Sequence, residues 1–134
     1  MEDVTFENWE QLPSLADAEY AELAEAVRFV LDAKRGRDIA VLPVAGNSDI
    51  TDCYVLATAT SSTHVRALAG EVEFRMGQRG VTPLHTDGGD QRDWMVVDFG
   101  TVIVHVFDRE AREFYHLEKL YTQPEGFGNN TEDN

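Results

Sequence analysis

The chain has 134 residues, a formal net charge of −14 and one cysteine, Cys53. Its length fits one domain, and one cysteine excludes an intramolecular disulfide and leaves too few thiolates for a cysteine-based zinc site. No apolar run approaches the roughly 20 residues that cross a bilayer, and the acidic start lacks the features of a targeting segment, so we expect no membrane span and a cytoplasmic location. The negative charge repels phosphate backbones, which argues against DNA binding and favours basic proteins as partners.

The negative charge is concentrated at the two ends of the sequence. Residues 1–27 contain no Lys or Arg, whereas residues 28–121 contain all the basic residues of the chain. Residues 1–13 lack clear periodicity, and residues 122–134 are rich in Gly and Asn. We therefore predict an acidic flexible arm over 1–13, a folded domain over 14–121 and a disordered tail over 122–134.

A first helix is predicted to begin after Ser14, which with Asp17 resembles a capping box. Apolar residues then recur at the spacing of one helix face. They are Leu23, Val27, Val30 and Leu31. Gly36 follows two basic residues and is the predicted C-terminal stop.

Two short apolar runs, residues 39–44 and Cys53–Ala59, are separated by turn residues and predict two strands. A second helix is predicted to begin at an N-cap serine, Ser61 or Ser62, and to end within residues 77–80, where two glycines stand. Its buried stripe is expected to consist of Val65, Leu68, Ala69, Val72 and Met76.

The second half of the sequence predicts three strands and a helix. Residues 82–85 predict a short edge strand, and Trp94–Asp98 and residues 101–107 predict a tight hairpin of strands covered on both faces. Asp108 is placed to cap a last helix over residues 109–121. The order of elements predicts a single α/β domain, with a mixed sheet of about five strands and helices packed against it.

Few residue patterns suggest catalysis or metal binding. Asp49 and Asp52 precede a strand, and paired carboxylates serve acid–base chemistry or hold magnesium, although they also bond loop amides. Residues 60–62 join a strand to a helix N-terminus, where amides bind anions, but the sequence lacks the glycines and lysine of a nucleotide-binding loop. His85 and Asp87 are two potential ligands without a third nearby. We predict no catalytic residue, no metal site and no cofactor.

The aromatic residues Trp94 and Tyr115 are candidates for partner binding. Trp94 opens a strand beside a polar loop, and Tyr115 lies in the last predicted helix. Large amphipathic aromatics are enriched at the centres of interfaces but also pack cores, so both interpretations stay open. His105, in an apolar strand, is expected to be a core or interface histidine, and Cys53 a buried, inert thiol.

Three ordered motifs resemble those of the ribosomal silencing factor family, also called Iojap-related proteins. The first is SDITDCYVLATATSSTHV over residues 48–65, and the second is DWMVVDFGTVIVHVF over residues 93–107. The third is REFYHLEKLY over residues 112–121. The resemblance runs from residue 23 to residue 121 in the same order and with close spacing, and leaves the arm and the tail outside it.

The resemblance implies a fold similar to nucleotidyltransferases without that activity. It also implies that the chain binds the large ribosomal subunit, through ribosomal protein uL14, on the face where the small subunit docks. The bulk of the bound protein then prevents the subunits from joining, which represses translation when nutrients are scarce. A homodimer of the unbound protein is an alternative that stays open. The sequence departs from the family pattern at Ala59, where Gly is usual, and at Thr101, where Asp is usual.

We hypothesise a docking surface that combines aromatic, methionine and charged side chains. It consists of Trp94, Met95, Asp98, Arg112, Tyr115 and Glu118. The aromatic and methionine side chains would supply buried area, and the charged groups would match a basic partner.

Two other classes of function stay open. One is a nucleotidyltransferase-like enzyme that uses Asp49, Asp52 and the turn over residues 60–62, and the other is a dimerisation module that self-associates without binding ribosomes.

Overall fold

The computed structural model describes residues 5–88 and 93–115, except for the side chain of Tyr115. Five strands form one sheet, and three helices pack beside it. The strands are β1 (Arg37–Pro43), β2 (Cys53–Ala59), β3 (His85–Asp87), β4 (Trp94–Asp98) and β5 (Val102–Asp108). The helices are α1 (Tyr20–Ala33), α2 (Ser62–Gln78) and α3 (Arg109–Tyr115), and a short 3-10 turn, Trp9–Gln11, precedes α1.

The sheet has the strand order β1-β2-β5-β4-β3, with β5 at its centre. β2 and β5 run parallel, with Cys53 beside Val102 at one end and Ala59 beside Asp108 at the other. The other neighbouring strands are antiparallel. Every residue of β2 is buried, as expected for a strand covered on both faces. The predicted α/β class and mixed sheet are confirmed.

Alternate residues of the central strands point to opposite faces of the sheet. On one face, Val55, Val97 and Val104 pack with the buried stripes of α1 and α2 into the large core, and we call this the helix face. On the opposite face, four ring-bearing side chains lie close together near α3, and we call this the aromatic face. They are Tyr54, Trp94, His105 and Phe107.

α2 has the predicted N-cap and the predicted buried stripe. The Ser61 hydroxyl accepts a hydrogen bond from the His64 amide at 3.1 Å and so caps the helix. The five predicted core residues, Val65, Leu68, Ala69, Val72 and Met76, are all buried. The helix continues through Gly77 and ends at Gln78, and Gly80 follows with a φ of 87°, a conformation that glycine adopts readily.

α1 begins at Tyr20, later than the capping-box pattern at Ser14 predicts. The Ser14 hydroxyl accepts a hydrogen bond from the Ala16 amide at 3.1 Å, and the Leu15 amide donates to the Arg79 carbonyl at 2.8 Å. Because these bonds hold this stretch in a local turn against the end of α2, Ser14 does not cap α1. The predicted helix start is therefore wrong, whereas the predicted apolar stripe is confirmed.

Residues 5–13 pack against α1 and α2. The side chain of Trp9 is fully buried, and its indole N–H donates a hydrogen bond to the Arg75 carbonyl at 2.8 Å. The ring stacks on Phe29 with a centroid distance of 5.7 Å, and the Arg79 guanidinium lies over it at 4.6 Å. The prediction of a flexible arm is therefore wrong for this stretch, because a buried indole anchors it to both helices.

The β4–β5 hairpin turns at Gly100, which has a φ of 97°. The Gly100 amide donates a hydrogen bond to Asp98 Oδ1 at 2.8 Å and closes the turn. β4 has its predicted bounds, whereas the edge strand is His85–Asp87 and not residues 82–85. The Leu84 amide donates a hydrogen bond to the Asp98 carbonyl at 2.7 Å. The pairing with β4 therefore begins near the C-terminal end of the predicted strand.

The last helix begins where the sequence predicts. Asp108 caps α3 by accepting a hydrogen bond from the Ala111 amide at 2.8 Å. The rest of the predicted helix, residues 116–121, and the predicted disordered tail lie outside the described residues. Within the described part of the chain, no helix combines the length and the apolar composition needed to cross a membrane.

We predict that Trp9→Ala lowers the free energy of unfolding by about 3–5 kcal/mol, because it removes a fully buried indole. Urea denaturation followed by circular dichroism measures this change. Phe74→Ala is the matched control, since Phe74 lies on α2 with 57% of its surface exposed, and it should change stability by less than about 0.5 kcal/mol. A Trp9→Ala protein as stable as the parent would show that the N-terminal segment is not part of the core.

Candidate protein-binding surface

Trp94 lies at the start of β4 and is half-buried in the aromatic face. It pairs with Phe107 across the β4–β5 ladder, and the two ring centroids are 5.9 Å apart. His105, on the same face of β5, lies 5.9 Å from the indole and 5.8 Å from the ring of Tyr54. The four side chains therefore form one continuous aromatic cluster across β2, β5 and β4.

One hydrogen bond sets the chemical state of this cluster. The Trp94 indole N–H donates to His105 Nδ1 at 3.1 Å. Because an indole nitrogen only donates, Nδ1 must accept, and the imidazole is neutral with its proton on Nε2. Burial lowers the pKa of His105 to about 4, and the nearby carboxylate of Asp98 opposes part of that shift. The ring therefore stays an acceptor for Trp94 at neutral pH.

The hypothesised docking residues of β4 lie on both faces of the strand. Trp94 and Asp98 share the aromatic face, because they are four residues apart in one strand. Consistent with this position, the charge of Asp98 acts to raise the pKa of Tyr54 and that of His105, two other residues of this face. Met95 packs against the large core on the helix face. Because successive strand residues point in opposite directions, the structure does not bring Met95 together with Trp94.

Arg112 fixes α3 to the end of the sheet. Its guanidinium donates hydrogen bonds to the Asp38 carbonyl at 2.6 Å and to the Thr58 hydroxyl at 2.8 Å, and it lies 5.8 Å from the ring of Phe107. One side chain thus connects α3 with β1, β2 and β5. Tyr115 is the last residue of α3, with its side chain outside the described atoms, and Glu118 lies outside the described residues.

Sequence reasoning missed the contribution of Tyr54 and Phe107 to this surface. A usable signal was present, because His105 and Phe107 are two residues apart in β5 and must share a face. The pairing of Trp94 with Phe107 was the missing information, since the register of a hairpin depends on its turn. The residue types at Gly100 and Thr101, which are part of that turn, do not by themselves predict which residues of the two strands pair.

The parts of the alternative enzyme site lie at opposite ends of β2. Asp52 immediately precedes the strand and residues 60–62 immediately follow it, a separation of about 25 Å at the rise of an extended strand. The Thr60 amide donates to His64 Nδ1 at 3.0 Å, so this turn serves the start of α2. Among the described residues, no group of three or more His, Cys, Asp or Glu side chains could hold a metal ion. The carboxylates and the turn therefore do not form one catalytic site.

Three further residues bear on the sequence interpretation. Cys53 is fully buried, and burial raises the pKa of its thiol to about 11, which confirms a structural cysteine. Ala59, a departure from the family pattern, does not have a positive φ, so its backbone conformation does not require glycine. Thr101, the other departure, is exposed, and its carbonyl accepts a hydrogen bond from the Asp52 amide at 3.2 Å.

We predict that His105 makes the fold less stable in acid. The folded protein binds the imidazole proton more weakly than the unfolded chain does, since the pKa is about 4 in the fold against 6.5 for an ordinary histidine. The stability contributed by the neutral ring is present above pH 6.5 and is lost, by about 3 kcal/mol, as the pH falls through about 4. Urea denaturation of the parent and of His105→Asn over this pH range measures the loss. Parallel stability curves for the two proteins would contradict the prediction.

Comparison with known proteins shows relatives over most of the chain. A family model described as "Ribosomal silencing factor during starvation" matches residues 17–133. A Haemophilus influenzae protein named ribosomal silencing factor RsfS is 40% identical over 99 residues, which cover 74% of this chain and 97% of that protein. A Mus musculus protein named mitochondrial assembly of ribosomal large subunit protein 1 is 33% identical over 96 residues, covering 69% of this chain and 42% of that protein.

The fold is also similar to a solved structure. The crystal structure of a Chromobacterium violaceum protein matches with a TM-score of 0.74 and 29% sequence identity, and the match covers 77% of this chain and 86% of that one. The family model extends past residue 121, where the third sequence motif ends. Because that model matches most of the sequence, the chain belongs to the ribosomal silencing factor family, RsfS.

Proposed function

We propose that this protein binds the large ribosomal subunit through ribosomal protein uL14, at the face where the small subunit docks. The bound protein occupies space that the small subunit needs and so represses translation under nutrient limitation. Membership of the silencing factor family supports a role on the ribosome. The name of the Mus musculus relative, which refers to the large ribosomal subunit, supports the choice of that subunit.

The observation that carries the proposal is the half-buried indole of Trp94 on the aromatic face. Interface hot spots are enriched in tryptophan and are surrounded by contacts that exclude water. Asp98 lies on the same face, and its carboxylate matches a basic side chain of the partner. The net charge of −14 of the whole chain favours basic partners in general. A ribosomal protein that is itself held on RNA offers such a basic surface.

The six hypothesised residues have different roles in this proposal. Trp94 and Asp98 contact the partner, and Arg112 holds α3 in place through its bonds to β1 and β2. Tyr115 stands three residues after Arg112 in α3, a spacing that makes two positions neighbours on a helix surface, and it is proposed to extend the docking surface. Glu118, the sixth residue of the hypothesis, lies outside the described residues. Met95 packs on the helix face, and its proposed role is to hold β4 against the large core without contacting the partner.

Steric exclusion needs bulk and no catalytic group. A chain of 134 residues has a radius of gyration of about 14 Å, so a bound copy keeps two flat surfaces apart. α1 and α2 cover the helix face, on the far side of the sheet from the docking residues, and would point away from the large subunit.

Two further proposals follow from the sequence: a cytoplasmic location, and a homodimer of the unbound protein that sedimentation velocity would detect.

We predict that Trp94→Ala weakens binding to purified large subunits by more than about 2 kcal/mol, about thirtyfold in affinity, because it removes the central anchor of the surface. Co-sedimentation at increasing subunit concentration measures the affinity. The matched control is Phe74→Ala, which removes an exposed aromatic ring from α2 on the opposite side of the sheet and should bind like the parent. Equal affinities for Trp94→Ala and the parent would remove Trp94 from the proposed surface.

We also predict that large subunits loaded with this protein fail to join small subunits. Sucrose-gradient sedimentation of both subunits, with and without the protein, measures joining. The parent protein should keep the subunits apart, because both need the same space, and Trp94→Ala at the same concentration should allow joining. Particles that contain both subunits and the parent protein together would refute the steric mechanism.

A further inference from the structure

His105 is a buried polar residue at a position where packing alone would call for an apolar side chain. Its neighbours in β5, Val104 and Val106, are fully buried aliphatic residues, and His105 itself is only 8% exposed. Burying an imidazole costs free energy unless its nitrogens are hydrogen-bonded. Its Nδ1 accepts the Trp94 indole N–H at 3.1 Å, which compensates part of this cost.

We propose that His105 is the positioning residue for Trp94: its Nδ1 holds the indole in the orientation that β4 presents to the ribosomal partner. The hydrogen bond itself stands on the geometry alone, whereas its effect on binding rests on the proposed function. Phe107, which pairs with Trp94 in the ladder, supports the ring from the side, so polar and aromatic contacts both hold the indole.

This arrangement also defines the chemistry that Trp94 offers to the partner. The single N–H of the indole points to His105, so the polar group of the ring is already used inside the protein. What the half-buried indole presents is apolar ring surface with an electron-rich face. Such a surface fits the aliphatic stem or the cationic head of a basic side chain. The partner is therefore expected to place a Lys or Arg side chain against Trp94.

The charged and titratable groups around His105 keep Nδ1 available as an acceptor. From β4, Asp98 acts on the imidazole electrostatically, and from β2 the ring of Tyr54 lies 5.8 Å away. Burial outweighs the effect of Asp98 and keeps the pKa of His105 well below neutral pH. Protonation would turn Nδ1 into a donor and break the bond to the indole.

A partner that binds a freely rotating indole must first immobilise it, and fixing such a side chain in advance improves affinity by about three- to tenfold. His105→Leu, which removes the acceptor at similar volume, should lose this factor. His105→Asn, whose side chain places an acceptor near the position of Nδ1, should recover it. In a Trp94→Ala background, His105→Leu should have no further effect on binding, since the residue acts through Trp94.

The two tryptophans of the chain provide a spectroscopic test of the positioning role. In an NMR spectrum of the full-length protein labelled with nitrogen-15, each indole N–H gives one signal. His105→Leu should shift the Trp94 signal and leave that of Trp9 unchanged, because Trp9 bonds the Arg75 carbonyl on the other side of the sheet. His105→Asn should return the Trp94 signal toward its original position.

The outcomes separate this inference from the proposed function. An unshifted Trp94 signal in His105→Leu, or a shifted signal with unchanged affinity for large subunits, overturns the positioning role even if Trp94→Ala abolishes binding. Unchanged binding of Trp94→Ala overturns the docking surface itself. If His105→Leu does not fold, 3-benzothienylalanine in place of Trp94 replaces the indole N–H by sulfur at nearly the same shape. It should lower the affinity by the same three- to tenfold, and an unchanged affinity overturns the inference.

Discussion

The parallel pairing of β2 with β5 determines where the other elements of this fold lie. Parallel strands need a long crossover connection, and here it contains α2, β3 and β4. β2 is buried throughout, because α1 and α2 cover one face and α3 packs on the other. Since β4 returns antiparallel beside β5, Trp94 is carried to the same end of the sheet at which α3 begins. The candidate surface is thus a consequence of how the sheet is connected.

The aromatic face brings core packing and the proposed docking residue Trp94 together in one group of side chains. His105 is buried, which keeps it neutral, and its neutral Nδ1 can accept the hydrogen bond from Trp94. Arg112 reaches from α3 to the Asp38 carbonyl and the Thr58 hydroxyl and so connects the surface with the far edge of the sheet. A surface held in this way is formed before the partner arrives, which reduces the entropy lost on binding.

Local patterns in the sequence predicted those parts of the structure that depend on near neighbours. The bounds of β2 and β4 and the stripe of α2 follow from turn residues and from periodicity, and all of these predictions are confirmed. The start of α1 was wrong because the bond from Leu15 to Arg79 connects residues far apart in sequence. The opposite directions of Trp94 and Met95 follow from strand periodicity, so this part of the site was predictable. The support from His105 was not, because it depends on the hairpin register.

The proposed exclusion mechanism requires only that a compact body be held by one face and project from the other. In the proposed function, the aromatic face would supply the attachment and the helix face the projecting bulk. An electron cryomicroscopy reconstruction of the large subunit with this protein bound tests the arrangement most directly. We expect Trp94 and α3 against uL14, with α1 and α2 in the volume that the small subunit occupies. A bound protein with α1 and α2 against the large subunit, or lying outside that volume, would contradict it.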